Sequence, residues 1–310
     1  MSEGDRRSPV GSKAGSLTER LARFDRRWIF LIMALAIVIP LYVPIGLPIK
    51  PSPMTNAAFN TIEALREGDV VYVSLDVEPA STPELEPYFR ALMVQLKRKG
   101  VRMVFGCLWY TAPPLAERWL REVVDVAIAP AGSEGYDGPP DRAYERNVDY
   151  VYLGFREGQI NTMLGMATDL RRVFDGRTDD GLPLDRVPWL ANVRSLVDMK
   201  LLISVSALAP GAKEWVQYVQ GRYGLRMVAA TTAVSTTDLA PYYQSGQLLG
   251  LVAGLSGAAE YEVLVGRPSI GVAGADVLNV GHAVVIFAIV LGNALFFLER
   301  RRRRRGGEGP

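Results

Sequence analysis

Two runs of 22 residues without a charge bracket this chain, Trp28 to Ile49 (WIFLIMALAIVIPLYVPIGLPI) and Val277 to Leu298 (VLNVGHAVVIFAIVLGNALFFL). At about 1.5 Å per helical residue, each reaches across a hydrocarbon core of about 30 Å. Buried helices of soluble proteins rarely run that far without a charge, so both stretches are expected to span a lipid bilayer. A cleaved signal peptide would carry an apolar stretch of only about 7 to 15 residues and a small-residue cleavage site, which the following KPSPMTNAAFN does not supply.

Lysine and arginine resist translocation and so fix the orientation. Arg6, Arg7, Lys13, Arg20, Arg23, Arg26 and Arg27 precede the first run, and Arg300 to Arg305 follow the second. The expected organisation is a cytoplasmic basic tail (1–27), transmembrane helix 1 (28–49), an extracytoplasmic domain (50–276), transmembrane helix 2 (277–298) and a cytoplasmic arginine-rich tail (299–310). Setting aside the 13 basic and 6 acidic residues of the tails leaves 22 basic against 27 acidic, a net charge of −5 for what lies between. The membrane is expected to be the inner (plasma) membrane of a bacterium, with the domain periplasmic in a Gram-negative cell. A hexa-arginine run abutting a span reads as a topology and headgroup anchor rather than a nucleic-acid site.

Residues 1–20 have no apolar period and read as disordered, with a short helix over 17–24. Between the spans, short β-branched runs alternate with helical patterns. Strands are predicted at 70–77, 101–109, 149–155, 200–207 and 225–234, and a further short one at 126–129. Helices are predicted at 83–99, 114–124, 159–174, 190–197, 213–223 and 239–265. Thr82 before Pro83, or Ser81 with Glu84 as a capping box, marks the start of the helix at 83–99. Short linkers are expected at 51–60 and 272–276, and irregular loops at 132–147 and 175–188. The fold class is therefore α/β, a three-layer sandwich with a mainly parallel sheet of about five strands. This alternation resembles Rossmann-like and flavodoxin-like domains in architecture alone.

The only histidine, His282, lies inside the second apolar run. The domain therefore has no imidazole for a Ser-His-Asp or Cys-His nucleophile or for an HExxH zinc site. The first strand leads into LDVEPASTPE, with neither GxGxxG nor GxxxxGK[ST], which speaks against the common nucleotide sites. The 175–181 stretch (DGRTDDG) fails as a calcium loop, because Arg177 occupies a ligand position. Cys107 is the only cysteine and reads as a small buried hydrophobe. No cofactor and no metal site is expected.

Open α/β sheets bind ligands outside the carboxyl ends of their strands. In the predicted register that rim carries Asp76, Glu78, Trp109, Tyr110, Arg156, Glu157, Ser206, Thr231 and Thr232. These residues could hold a small polar ligand, and Asp76 with Glu78 could act as an acid and base; alternatively they cap helices, form ion pairs or contact a partner. Gly246, Gly250 and Gly254 recur every four residues, so on one helix they would form a smooth stripe for close packing, within the domain, between subunits or at the membrane surface. Asn279, His282 and Asn293 fall within about 60° of one another on the second span and read as a helix-helix seam.

Together these features lead to a non-enzymatic assembly or scaffold subunit of an oligomeric membrane complex, whose partners are the bilayer and other subunits or itself. The alternative is a membrane-tethered sensor or binding domain for a small extracytoplasmic ligand, and a weaker one is an enzyme using Asp76 and Glu78.

Overall fold

Val70–Asp76 (β1), Arg102–Cys107 (β2), Tyr150–Phe155 (β3), Leu201–Ser206 (β4) and Met227–Thr231 (β5) occupy five of the runs that read as strands. In the computed structural model, which describes residues 26–42, 45–129, 140–207 and 209–305, a sixth strand, Gly250–Ala253 (β6), joins them. All pairings are parallel and the strand order is β3-β2-β1-β4-β5-β6. The described residues fall into two units, one within 45–275 and the other made of the flanking segments 26–42 and 276–305. The readings made for residues 1–25, and residues 132–139 of the 132–147 loop, lie outside the described residues.

Successive strand residues point to opposite faces, and both faces are covered, as a parallel sheet requires. One face buries Val71, Val73 and Leu75 beneath Thr82–Arg98 (α3), Ala112–Trp119 (α4) and Gly254–Val265 (α8). The other buries Tyr72, Val104 and Leu202 beneath Gln159–Val173 (α5) and the helical run Ala212–Glu214, Trp215–Gln220 and Gly221–Tyr223 (α6). Thr236–Gln244 (α7) adds Leu239 to this second core.

The edges are closed as well. Pro53–Glu63 (α2) packs along β6, so the expected linker at 51–60 is largely a helix, begun by Ser52, whose hydroxyl accepts from the Thr55 N–H. At the opposite edge the 175–188 loop lies against β3, with the Asp179 N–H donating to the Tyr152 carbonyl. Covered edges leave few backbone groups for strand-to-strand association.

The long helix expected over 239–265 does not form, and with it the glycine stripe is dissolved. Gly246 (φ 78°) ends α7 and Gly254 (φ 56°) opens α8, both in the left-handed region where a side chain is strained, and between them Gly250 lies in β6. A Cβ on Gly250 would overlap the backbone N and Cα of Ala58. The close approach that this glycine permits is between α2 and the sheet, within one domain.

The strand expected at 126–129 is absent for an electrostatic reason. Lys97 Nζ and Asp141 Oδ2 form an ion pair of 2.8 Å with both side chains buried. Lys97 donates to the carbonyls of Val123 and Val126, and Asp141 accepts from the Ile128 and Ala129 N–H groups. Backbone groups that a ladder would use are thus taken by the pair. In place of a helix over 190–197 there are single turns, Pro188–Leu190 and Leu196–Asp198, with the Asp198 carboxylate accepting from the Arg194 and Ser195 N–H groups. Ser81 does not box with Glu84; it closes a tight turn with Glu78.

Three consecutive residues of α8 hold the ends of the domain. Glu260 accepts from the N–H and hydroxyl of Ser52, Tyr261 donates its hydroxyl to Gln95 of α3, and Glu262 accepts from the N–H groups of Ser269, Gly271 and Val272. Glu262 thereby caps Ile270–Arg305 (α9), so residues 272–276 are helical rather than a linker. Burial raises the Glu262 pKa, and the three backbone donors pull it back.

In the flanking unit, α9 is long and apolar enough over Ile270–Leu298 to cross a membrane. Phe287, Val290, Phe296 and Phe297 are exposed along it, as are Asn279, His282 and Asn293. The N-terminal helix, Arg26–Tyr42 (α1), has a shorter apolar part, Phe30–Pro40, and residues 45–52 are not helical, so one continuous helix over 28–49 is not formed. Gly46 (φ 67°) and Pro48 end helical geometry there, which an uncharged run by itself does not reveal.

Replacing Gly250 with alanine should force α2 off β6 and lower the unfolding free energy of the detergent-solubilised chain by about 1–3 kcal/mol. Urea titration followed by tryptophan fluorescence would show it, and a midpoint equal to that of the parent would refute the close packing.

Candidate functional site

The reversal of strand order falls between β1 and β4, the position at which doubly wound sheets open a crevice at their carboxyl ends. Asp76 and Ser206 face one another there in register, and Ser206 is in turn opposite Thr231 on β5.

Asp76 is 2% exposed and its oxygens are spoken for. Oδ2 accepts from the Ser74 hydroxyl at 2.6 Å and Oδ1 from the Leu108 N–H at 2.6 Å, while Ser74 Oγ accepts from Trp215 Nε1 at 3.1 Å. Burial pushes the Asp76 carboxyl up to about 6, against the lowering effect of these donors. Its carboxylate ties the end of β1 to the β2 loop and, through Ser74, to α6. Glu78 begins a tight turn at the rim, and among the described residues no hydrogen bond joins it to Asp76.

The turn after β1 also departs from phosphate-binding geometry. Where a glycine-rich loop would admit a pyrophosphate, the chain has Pro79 and Pro83, and Glu84 in the first helical turn accepts from the Ala233 N–H at 2.8 Å. An acidic residue at that helix start opposes an anion.

The remaining rim residues divide into two groups. Over β2 and β3, Trp109 and Tyr110 pack at 5.2 Å between ring centroids, with Tyr110 71% exposed. Arg156 pairs with Asp175 at 2.7 Å and lies over the Phe174 ring, and Glu157 is exposed. Arg156 is thus engaged in holding the 175–188 loop. Thr232 precedes the turn that leads into α7, its carbonyl accepting from the Ser235 N–H and the Thr236 hydroxyl.

Over β4 and β5 the rim opens into a cleft of about 230 Å³, lined by Ser206, Lys213, Glu214, Thr231, Ser235 and Asp238 among others. Ser206 Oγ accepts from the Ser204 hydroxyl at 3.2 Å and the Ala212 N–H at 2.9 Å, so its own proton is free to point elsewhere. The Thr231 residue is 2% exposed, and its hydroxyl, open to the cleft, has no hydrogen-bond partner among the described residues. Lys213 Nζ and Asp238 Oδ2 stand 3.5 Å apart at the mouth. Glu214 accepts from the Gly211 N–H at 2.8 Å.

Sequence reasoning found Ser206 and Thr231 as strand ends but missed Lys213, Glu214, Ser235 and Asp238. Their signal was present: each sits in or beside the first turn of the helix that follows β4 or β5, where a doubly wound sheet turns its helix starts toward the same crevice. Among the described residues, no group of three or more His, Cys, Asp or Glu side chains is arranged to hold a metal. Comparison with known proteins finds no matching family model, no similar curated protein and no similar solved structure.

Because its folded-state pKa is raised, Asp76 contributes most to stability below about pH 4, and that contribution is lost as pH rises toward about 6. The loss amounts to at most about 3 kcal/mol. Asp76→Asn should flatten this slope, so that urea midpoints at pH 4.5 and pH 7 differ less than in the parent. Equal slopes would show that Asp76 titrates normally.

Proposed function

We propose that this chain is a membrane-tethered binding domain for a small extracytoplasmic ligand, seated in the cleft at the carboxyl ends of β4 and β5. The observation that carries this reading is the open cleft beside the switch point, on whose floor the Thr231 hydroxyl has no protein hydrogen-bond partner among the described residues. The apolar length of α9 supports attachment to a membrane, and the arginines beyond it support cytoplasmic termini with the domain outside. In this reading the N-terminal apolar segment is a second anchor, and no turnover is required.

The assembly reading no longer has its glycine stripe. It keeps one specific observation, the exposed Tyr110 (71%) and Val234 (85%) at the rim, which would suit contact with a partner subunit. The polar face of Asn279, His282 and Asn293 would suit a helix contact in the same complex.

A thermal-shift screen of small metabolites on the full chain in mild detergent separates these readings. A ligand at about 100 times its Kd should raise Tm by roughly 5–10 °C, and Thr231→Trp, which fills the cleft, should abolish the shift. Shifts that survive Thr231→Trp would remove the cleft from the account. A discrete high-mass species dissociated by Tyr110→Ala would favour assembly. A reporter fused near residue 140 should be extracytoplasmic, and a cytosolic signal would overturn the topology.

A further inference from the structure

We infer that the cleft takes a small zwitterion, with its carboxylate on the Ser206 and Thr231 hydroxyls beside Lys213 and its ammonium group toward Asp238 and Glu214. This inference rests on the binding reading above and names the ligand class for the same site.

The floor of the cleft selects an acceptor. Ser206 and Thr231 are register partners on neighbouring parallel strands, so their side chains emerge on one face about 4.8 Å apart. Ser206 already accepts two hydrogen bonds, leaving its O–H as a donor, and Thr231 has its full capacity open. Two donors at that spacing suit the two oxygens of one carboxylate, and Lys213 on the same wall supplies the countercharge.

The mouth selects a cation. Against the single positive charge of Lys213 stand Glu214 and Asp238, a formal balance of −1 among the lining residues. A dianion such as phosphate would meet two carboxylates, with no arginine in the lining to offset them. A lone amine would leave the floor donors unused, and a sugar would leave both signs of charge unused. The Lys213–Asp238 pair is long and exposed, so parting it to admit a ligand carrying both charges forfeits little. The cleft, about 230 Å³, has room for a small amino acid.

The full chain in mild detergent would be titrated with L-alanine, propionate, ethylamine, L-alanine methyl ester, inorganic phosphate and glucose by calorimetry and thermal shift. L-alanine should bind at least tenfold more tightly than its des-amino, decarboxylated and esterified counterparts. Thr231→Val should weaken L-alanine at least tenfold without lowering Tm, since that hydroxyl has no partner to lose. Asp238→Asn should reduce the preference for L-alanine over propionate. If glucose or phosphate binds and Thr231→Trp removes that binding, the zwitterion inference fails while the binding reading stands. If no probe binds, both fail.

Discussion

A wholly parallel sheet cannot leave a face to water or close itself by hairpins, and this constraint shapes nearly everything else in the domain. Each of the six strands is rejoined by a crossover, so helices cover both faces. The two edges are then sealed by α2 along β6 and by the 175–188 loop along β3. The reversal of strand order between β1 and β4 is the one place where neighbouring crossovers diverge, and the open cleft lies on its β4 side.

At that reversal, structural and cleft-facing roles are carried by neighbouring residues of the same register. Asp76 spends its carboxylate on Leu108 and Ser74, which fixes the strand end. Ser206 and Thr231, one and two strands away, are left with a free proton and a free hydroxyl. The division follows from burial. A carboxylate removed from water needs donors on both oxygens, whereas a hydroxyl can face an open cleft at small cost.

Both ends of the domain are fastened to α8. Glu260, Tyr261 and Glu262 successively bind Ser52, Gln95 and the first N–H groups of α9. A buried carboxylate at a helix start satisfies donors that would otherwise be orphaned, and its charge suits the helix dipole. The chain entering the domain and the chain leaving it are therefore fastened to one helix.

Much of this was legible in local patterns. Uncharged length marked α9, β-branched runs marked five strands, and the missing histidines and glycine loops narrowed the chemistry. What local pattern misread was decided by distant partners. QLLGLVAGLSGAAEYEVL reads as one glycine-striped helix, yet β5 draws Gly250–Ala253 into the sheet and Ala58 requires the glycine at 250. The 126–129 run reads as a strand, but Lys97 and Asp141 claim its backbone. The sequence by itself determined the class of fold and the long apolar helix, because periodicity and charge act over a few residues. Which strand ends become neighbours, and which hydroxyl is left without a partner, only the tertiary structure decided, because pairing order joins residues far apart in the chain.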